Sequence, residues 1–476
     1  MNFEAVIGLE IHVEMKTKSK MFSSSPNTFS REPNTAVTPF DMAYPGTMPL
    51  VNKQAVINAI RVANALHMTI DPLVRFDRKN YFYADLPKGF QITQQFHPVG
   101  KEGYLDIKGK DGQIKRIHIE RIHMEEDTCK QLHFADYSLL DYNRAGVPLV
   151  EIVSCPDMRN GTEAMRYVEA IRNIVVYSLT SDGKMEEGSL RCDVNVSLRP
   201  YGSTEFGTKV ELKNLNSLKN IEQALDYEIA RQSACLLSGT PVQQETRRFD
   251  EASGRTVLMR VKTDAVDYKY FPEPNIAPIQ LSEEFVQNAI ATCPELYEAK
   301  KARYLELGLS ETDADIILSD IDMAAYFEKA FAKNTKTAKT IANFLIVEVN
   351  GYRNKNGVSM KEFPLPEDTL ADIASLQEDG YTHKQCIQIF NDVIENGGSA
   401  EEARLRLKIE KQASDDGLVL GFVTEVLNAN PQSIEDYKAG KDRAQGFLIG
   451  QVMKLAKGKV NPASVAKIMV EELAKR

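Results

Sequence analysis

KMEEGSLRCDVNVS, residues 184–197, is the stretch of sequence from which the fold can be inferred first. Polar and apolar residues alternate along it with a period of two, which predicts a half-buried β-strand. The polar row alternates charge sign and contains short side chains: Glu187, Ser189, Arg191, Asp193, Asn195 and Ser197. Such a face suits a metal or a phosphate group. The alternative is a surface strand with cross-strand ion pairs.

The beginning of the chain repeats this alternation over residues 3–15. One side of the predicted strand is apolar, with Ile7, Leu9, Ile11 and Val13. Glu10 and His12 project from the other side, about 7 Å apart along the strand. A carboxylate and an imidazole at this spacing can serve one metal or phosphate if neighbouring strands supply further ligands. The alternative is a pair that faces solvent.

Two more predicted strands carry acids. The strand over 117–129 puts His123, Glu125 and Asp127 in alternation. Glu151 stands inside the apolar run Leu-Val-Glu-Ile-Val, where a carboxylate needs a partner because its burial alone is costly. A shared cation is one such partner. No single pair decides the matter, but the acids at positions 10, 125, 151, 187 and 193, joined by His12, together predict a cation site on one antiparallel sheet.

A sheet of this kind is chemically suited to Mg-ATP, because acids hold the cations while Arg and Lys neutralise phosphate oxygens. The sequence contains neither GxxxxGK[ST] nor GxGxxG, so side chains would hold the phosphates. No Ser/His/Asp or Cys/His arrangement has a usable local context, which disfavours a hydrolase. Basic residues interleave with Tyr and Phe over 75–91. This pattern suits a nucleotide or an RNA end, and also a strand with exposed Arg and Lys.

Length and composition set the class of protein. The 476 residues are enough for about three domains, and the net charge of -9 argues against non-specific coating of nucleic acid. A local basic patch could still recognise one folded RNA by shape. The six cysteines include no CxxC pair, which disfavours a zinc knuckle and a disulfide framework. Without a signal peptide or a membrane-length apolar run, the sequence predicts a reduced, cytoplasmic protein.

The chain changes character near residue 284, where strand patterns give way to short helices. We therefore predict three domains, over residues 1–292, 293–407 and 408–476. The last of them carries a basic patch: Lys438, Lys441, Arg443, Lys454, Lys457 and Lys459. This patch suits an RNA backbone, and a solvated basic helix face is the alternative.

Long motifs resemble those of the B subunit of the bacterial aspartyl/glutamyl-tRNA amidotransferases, over essentially the whole chain. They are Ile7–Glu14, Tyr44–Gly46 with Pro49, Asp77–Tyr83, His123–Asp127, Lys184–Asn195, Glu211–Ser217, Tyr270–Pro274, and Gly446–Leu448 with Gly450, Gln451 and Lys454. The resemblance implies an α+β fold. Its antiparallel-sheet cradle domain would resemble glutamine synthetase and guanidino kinases, and a helical domain and a small all-helical tail would follow.

The resemblance also implies a function. Members of this family act in a heterotrimer in which an amidase A subunit releases ammonia from glutamine and a small C subunit wraps the pair. The family member that this chain resembles binds misacylated Glu-tRNA(Gln) or Asp-tRNA(Asn). That protein phosphorylates the side-chain carboxylate with ATP and Mg²⁺, and lets ammonia displace the phosphate. The helical and tail domains grip the tRNA.

Site residues follow from the resemblance by position. The expected metal ligands are Glu10, His12, Glu125 and Glu151, with Glu187, Asp193 and Asn195 as further ligands or orienting groups. The candidates for phosphate neutralisation are Lys79, Lys184, Arg191, Lys213 and Arg247. Tyr81 and Tyr83 are expected along the path of the tRNA 3′ end, and Lys454 and Lys457 on the tRNA-binding tail.

Three residues depart from the family pattern: Ala84 replaces Pro, Asn275 replaces Asp and Cys129 replaces Gly. The four cysteines that bind zinc in some relatives are also missing, so no zinc is expected. Two other functions are compatible with the sequence. One is a catalytically silent tRNA-binding scaffold, and the other is a stand-alone Mg-ATP ligase that acts on a small acid without tRNA.

Overall fold

The computed structural model describes residues 3–28, 32–261, 267–411, 416–438, 442–456, 460 and 462–475. The chain divides into two compact units, residues 1–299 and 300–476. The predicted division into three domains is not tested by this result and stays a prediction.

The described strands all belong to the first unit. They are β1 (Phe3–Glu14), β2 (Thr69–Ile70), β3 (Leu73–Val74), β4 (Asp77–Asn80), β5 (Phe90–Thr93), β6 (Gly100–Lys108), β7 (Ile114–Glu126), β8 (Lys130–His133), β9 (Ser138–Asp141), β10 (Pro148–Ser154), β11 (Leu190–Pro200), β12 (Val210–Lys213), β13 (Glu245–Asp250), β14 (Arg255–Val261), β15 (Phe271–Pro272) and β16 (Ile279–Gln280).

Nine strands form the main sheet, in the order β14-β13-β12-β11-β1-β10-β7-β6-β2. Neighbouring strands are antiparallel except β12 and β13, which are parallel. Smaller sheets are formed by β15-β4-β5, β16-β3 and β8-β9. The prediction of a largely antiparallel sheet followed by helices is confirmed.

One face of the main sheet is the core face. The predicted apolar row of β1 lies there, because Ile7, Leu9, Ile11 and Val13 are all buried. The core face packs against α1 (Lys53–Ala65), α2 (Gly161–Tyr177), α3 (Leu218–Leu237) and α4 (Glu283–Ala291). Asn52, Asn160 and Ser217 cap three of these helices by accepting backbone N–H bonds, which satisfies donors that a helix start leaves unpaired.

The other face of the main sheet, here called the polar face, carries the charged rows of β1, β7, β10 and β11. Because successive side chains of a strand alternate in direction, burying one row directs the other to the opposite face. The polar face is where the sequence predicted a cation site.

From Tyr297 onwards the described elements are helical. The α-helices are α5 (Tyr297–Glu306), α6 (Glu311–Leu318), α7 (Ile321–Lys333), α8 (Ala338–Phe344), α9 (Asn350–Asn356), α10 (Glu367–Glu378), α11 (His383–Asn396), α12 (Ala400–Arg406), α13 (Asp416–Ala429), α14 (Pro431–Lys438), α15 (Asp442–Leu455) and α16 (Pro462–Lys475). Short 3₁₀ turns span Thr335–Thr337 and Met360–Glu362, and a π-helical turn spans Leu345–Val349. Buried residues between Val419 and Leu473 form a hydrophobic cluster of their own. Among the described helices, none has the length and apolar character needed to span a bilayer.

The structure corrects the prediction for the opening stretch. The strand begins at Leu190, whereas residues 185–188 form a turn in which Gly188 has a positive φ of 83°. A turn interrupts the period of two, so Lys184 and Glu187 do not belong to the polar row of β11.

Candidate functional site

Four side chains line up across the polar face, one from each of four adjacent strands. His12 of β1 pairs in register with Glu151 of β10 and with Arg191 of β11, and Glu151 pairs with His123 of β7. Directly opposed residues on neighbouring strands are close enough to interact. The polar face therefore brings together residues that are far apart in the sequence.

Glu125 of β7 joins this row, so that two histidines face two carboxylates. The His12 Nε2 atom lies 3.4 Å from Glu151 Oε2 and 3.8 Å from Glu125 Oε1. The His123 Nε2 atom lies 3.2 Å from Glu151 Oε2 and 3.8 Å from Glu125 Oε2. Three of the predicted metal ligands, His12, Glu125 and Glu151, offer ligand atoms within 4.8 Å of one another. These three are called the ligand trio below.

The pKa values in and around the ligand trio are set by contacts between histidines and carboxylates. Burial opposes charge on the histidines, but Glu151 and Glu125 outweigh it and raise the pKa of His12 and that of His123 to about 9. Burial is likewise outweighed at Glu151, where His123 and His12 hold the pKa well below its usual range. Within the described residues, neither Glu125 nor Glu151 has a Lys or Arg at ion-pairing distance. Protons on the histidines are thus the available compensation for these carboxylates.

Glu10, the fourth predicted metal ligand, lies beside the ligand trio rather than within it. It pairs in register with Asp193 and accepts a hydrogen bond of 3.0 Å from Asn195 Nδ2. Burial raises the pKa of Glu10, and the charges of Glu151 and Asp193 raise it further. Lys213 donates to Asp193 and lies 3.3 Å from Glu211. Asp193, Asn195 and Lys213 therefore border the site as predicted neighbours.

Arg191 reaches the site from the other direction. Its Nη2 donates to Asp127 Oδ2 over 2.6 Å, and Arg144 Nε lies 3.5 Å from the same oxygen. Burial, followed by the charge of Asp127, raises the pKa of nearby Glu14 to about 8. Arg191 is thus held by a buried carboxylate at the rim of the ligand trio.

Three buried nitrogens of the polar face have no hydrogen-bond partner in the described structure: Arg121 Nε, His123 Nδ1 and Arg191 Nε. Buried donors are nearly always paired, and an unpaired one costs free energy. A ligand that contains both a cation and an anion fits this arrangement. The acids would bind the cation, and the unpaired donors would bind the anion. The donor set of the trio, two carboxylates and one imidazole, can hold Mg²⁺ while leaving positions for water and phosphate oxygens.

Lys79 lies in β4, and Tyr81 directly follows this strand. The Lys79 Nζ atom is 4.8 Å from the ring centroid of Tyr268 and 5.9 Å from that of Tyr81. Strand β5, paired with β4, carries Thr93, whose Oγ1 lies 3.5 Å from Glu125 Oε2. Lys79 is therefore placed against aromatic rings rather than against an acid.

A cavity of about 250 Å³ opens beside Glu10 and Asn195 on the polar face. Its walls are mostly apolar and include Gly8, Pro156 and Phe206. The cavity gives a bound molecule room next to the ligand trio.

The remaining predicted residues lie elsewhere. Arg247 pairs with Leu212, whose side chain is in the core, and it contacts Thr256, Glu245 and Glu228 on the core face. Lys184 and Glu187 pair with each other over 2.6 Å in the turn before β11. Tyr83 is exposed, as is Lys454 on α15. Lys457 lies outside the described residues, together with Lys441 and Lys459 of the basic patch.

Sequence reasoning gave no site role to five residues of this neighbourhood: Arg121, His123, Asp127, Tyr268 and Tyr270. For His123 and Asp127 a signal was present, because both alternate with Glu125 along β7 and its end. Arg121 continues the same alternation. Tyr268 and Tyr270 reach the site because β15 pairs with β4, a contact between segments nearly two hundred residues apart that no local pattern indicates.

Comparison with known proteins gives matches over most of the chain. A family model described as "GatB/GatE catalytic domain" matches residues 5–287, and one described as "GatB domain" matches residues 325–473. The chain is 50% identical to proteins named as the B subunit of aspartyl/glutamyl-tRNA(Asn/Gln) amidotransferase from Lysinibacillus sphaericus, Staphylococcus haemolyticus and Geobacillus thermodenitrificans. Each of these alignments covers 100% of both sequences. The ligand trio lies within the range of the first family model.

Proposed function

Because the chain belongs to the family of aspartyl/glutamyl-tRNA(Asn/Gln) amidotransferase B subunits, we propose that its polar face activates the misacylated amino acid. The chain acts in tRNA-dependent transamidation, as one component of a glutamine-hydrolysing ligase complex. Partner subunits and tRNA are implied by that role. We propose that the partners are an amidase A subunit, which releases ammonia from glutamine, and a small C subunit.

The proposed reaction has two steps. ATP transfers its terminal phosphoryl group to the side-chain carboxylate of the Glu or Asp carried by tRNA(Gln) or tRNA(Asn), which gives an acyl phosphate and ADP. Ammonia then attacks the acyl carbon, the bond from that carbon to the phosphate oxygen breaks, and the products are the amide and inorganic phosphate. Both steps need phosphate charge to be neutralised and water to be excluded.

The observation that carries this proposal is that two acids without a Lys or Arg partner among the described residues lie beside buried, unpaired donors. His12, Glu125 and Glu151 would hold Mg²⁺, which supplies charge neutralisation to the phosphates when it is bound. Arg191 would donate its free Nε to a phosphate oxygen, while Asp127 fixes the guanidinium. Lys213 is held by Asp193 at the other border of the site and is the second candidate for a phosphate contact.

The finer points of the fold also belong to this proposal. A likeness of the sheet to glutamine synthetase and guanidino kinases would explain why the phosphates meet side chains on an open antiparallel sheet. The basic tail, including Lys454, would contact the tRNA backbone.

Single-turnover phosphorylation of Glu-tRNA(Gln) from labelled ATP tests the proposal. The assembled complex would carry the wild-type chain, Glu125→Gln or His12→Ala, and tRNA binding would be measured alongside. Glu4→Gln is the matched control, because Glu4 lies on the same strand as His12 but pairs with Arg199 over 2.9 Å. We expect phosphorylation to collapse in the two site variants while tRNA binding persists.

Two outcomes would favour other functions. Unchanged ATP consumption in Glu125→Gln would mean that the polar face is a solvated surface and the chain is a silent scaffold. Phosphorylation of free glutamate or aspartate without tRNA would indicate a stand-alone ligase.

A further inference from the structure

Four aromatic rings form a continuous row beside the ligand trio. Tyr81 and Tyr268 have ring centroids 5.9 Å apart, Tyr268 and Tyr270 are 6.0 Å apart, and Tyr270 and Phe96 are 6.2 Å apart. All three contacts are edge-to-face, a favoured geometry for aromatic pairs. We call Tyr81, Tyr268, Tyr270 and Phe96 the aromatic row.

The aromatic row carries a positive charge. The Lys79 ammonium lies over the faces of Tyr81 and Tyr268, where the ring quadrupoles attract a cation. Arg121, which has an unpaired buried Nε, is close enough to Tyr270 for its charge to act on the phenol. The row therefore combines flat apolar surfaces with cations able to meet phosphate.

Tyr270, a ring inside the aromatic row, is close enough to the ligand trio for the charges of its acids to act on the phenol. Burial raises the pKa of Tyr270 to about 12, and the charges of Glu151 and Glu125 contribute to the rise. Glu125 also has a direct link to this side of the site, because Thr93 of β5 contacts it. A molecule lying along the row would thus pass beside the acids.

Some large aromatic side chains in the row, or directly after Tyr81 in the sequence, are exposed to solvent. Phe82 is 93% exposed, Tyr83 is 64% exposed and Phe96 is 54% exposed. Exposed large apolar groups that cluster together usually mark a binding surface. Aromatic side chains interleaved with cations are what single-stranded nucleic acid binds, because each base stacks on a ring while the backbone meets positive charge.

On this basis we propose that the aromatic row is the stacking platform for the unpaired 3′-terminal bases of the tRNA, and that Lys79 contacts their phosphates. The inference rests on the proposed function, since it supplies the route by which the aminoacyl ester reaches the ligand trio. It changes the role of Lys79 from an ATP contact to a tRNA contact, and it adds Tyr268 and Tyr270 to the site.

The adenine of ATP is the other nucleobase that could stack here. The row offers more ring surface than one base covers, and two more aromatic residues, Phe82 and Tyr83, directly follow Tyr81 in the sequence. A separate apolar cavity, lined by residues of β1, β10 and β11, is available for the nucleotide. These features favour the tRNA end.

The test compares two forms of one tRNA, one with its complete 3′-CCA end and one lacking those three nucleotides. Both are bound to the assembled complex carrying the wild-type chain, Tyr268→Leu, Tyr268→Phe or the control Tyr201→Leu. Tyr201 is 79% exposed and lies just after β11. The backbone carbonyl of Tyr268 is held by Asn80 N–H over 2.9 Å, so the side chain can be changed without removing that anchor.

We expect Tyr268→Leu to lower the affinity for the complete tRNA by about tenfold, the size of one lost base stack. Affinity for the truncated tRNA and the KM for ATP should not change. Tyr268→Phe keeps the ring and should bind like the wild type, as should Tyr201→Leu. The proposal would be overturned if Tyr268→Leu kept the preference for the complete tRNA. It would also be overturned if Tyr268→Leu raised the KM for ATP and left the affinity for tRNA unchanged.

A second measurement needs no substitution in the chain. A tRNA with 2-aminopurine as its terminal base should lose fluorescence on binding to the wild-type complex, because stacking quenches this base; unchanged fluorescence would contradict the platform. The failure of this proposal can be told apart from the failure of the proposed function. Glu125→Gln should abolish phosphorylation yet keep the preference for the complete tRNA, whereas Tyr268→Leu should lose that preference.

Discussion

Two charged clusters lie on opposite faces of the same sheet, and they differ in how their charges are balanced. On the polar face, the charged partners of Glu125 and Glu151 among the described residues are histidines alone. On the core face, Glu228 of α3 faces Arg231 and Arg247. Both clusters contain buried carboxylates, so burial alone does not identify a functional site.

The core-face cluster satisfies its own charges. Glu228 is fully buried and accepts from Arg231 over 2.6 Å, from Gln232 over 3.0 Å and from Thr256 over 2.8 Å. A buried carboxylate with this many partners needs no ligand. On the polar face, by contrast, neither Glu125 nor Glu151 has a Lys or Arg partner among the described residues. The comparison teaches that acids without a permanently charged partner, rather than the number of charges, mark the site.

The largest effect should come from removing a charge that is balanced only by histidines and by the proposed ligand. Glu151→Gln deletes the carboxylate that both histidines contact. We expect the single-turnover rate of phosphorylation to fall by about 10³-fold, which corresponds to about 4 kcal/mol in the barrier. Chemical denaturation should show a much smaller change in stability. A rate within tenfold of the wild type would show that Glu151 is not part of the site. The proposed difference between the two clusters would then be wrong.

A substitution on the other face of the sheet tests the core-face cluster. Glu228→Ala leaves Arg231 and Arg247 without their shared buried acid, and breaking such a network costs about 3–5 kcal/mol. The loss should appear as a lower denaturation midpoint, while phosphorylation by the folded fraction stays within about twofold.

Glu401→Ala is the control for that measurement, because Glu401 pairs with Arg404 within α12 and its side chain is 59% exposed. Surface pairs contribute about 0–1 kcal/mol. If Glu228→Ala were no more destabilising than Glu401→Ala, the core-face cluster would not be a structural network.

The response to metal ions should also distinguish the two clusters. A ligand that binds only the folded state at 100 times its Kd stabilises it by about 2.7 kcal/mol. We expect Mg²⁺ or Mn²⁺ to raise the melting temperature of the wild type and of Glu245→Gln, whose carboxylate contacts Arg247 on the core face. Glu125→Gln should not respond. An equal response in all three proteins would place the cation elsewhere.

Local patterns predicted the framework of the site well. The period of two over residues 3–15 assigned Ile7 and Leu9 to the core and Glu10 and His12 to the polar face, and the structure agrees. The long motifs identified the family, and this is confirmed by the matches over the whole chain. Such inferences succeed because side-chain direction in a strand depends only on neighbours in the sequence.

What sequence reasoning could not supply was register and face across distant strands. The position of Arg247 on the core face depends on the parallel pairing of β12 with β13, next to an irregularity between Thr246 and Arg247. The contact of His123 with Glu151 depends on how β7 and β10 align. These are tertiary facts that one strand does not encode alone.

The smallest effect should come from Glu187, which the strand pattern placed beside the acids and the structure places in a turn. Glu187 is 48% exposed and pairs with Lys184, which is 44% exposed. Such a pair contributes about 0–1 kcal/mol. We expect Glu187→Gln to leave phosphorylation and tRNA binding within about twofold and the free energy of unfolding within about 0.5 kcal/mol. A loss close to that of Glu151→Gln would mean that the turn before β11 folds over the polar face when substrates bind, and that the site extends beyond the strands.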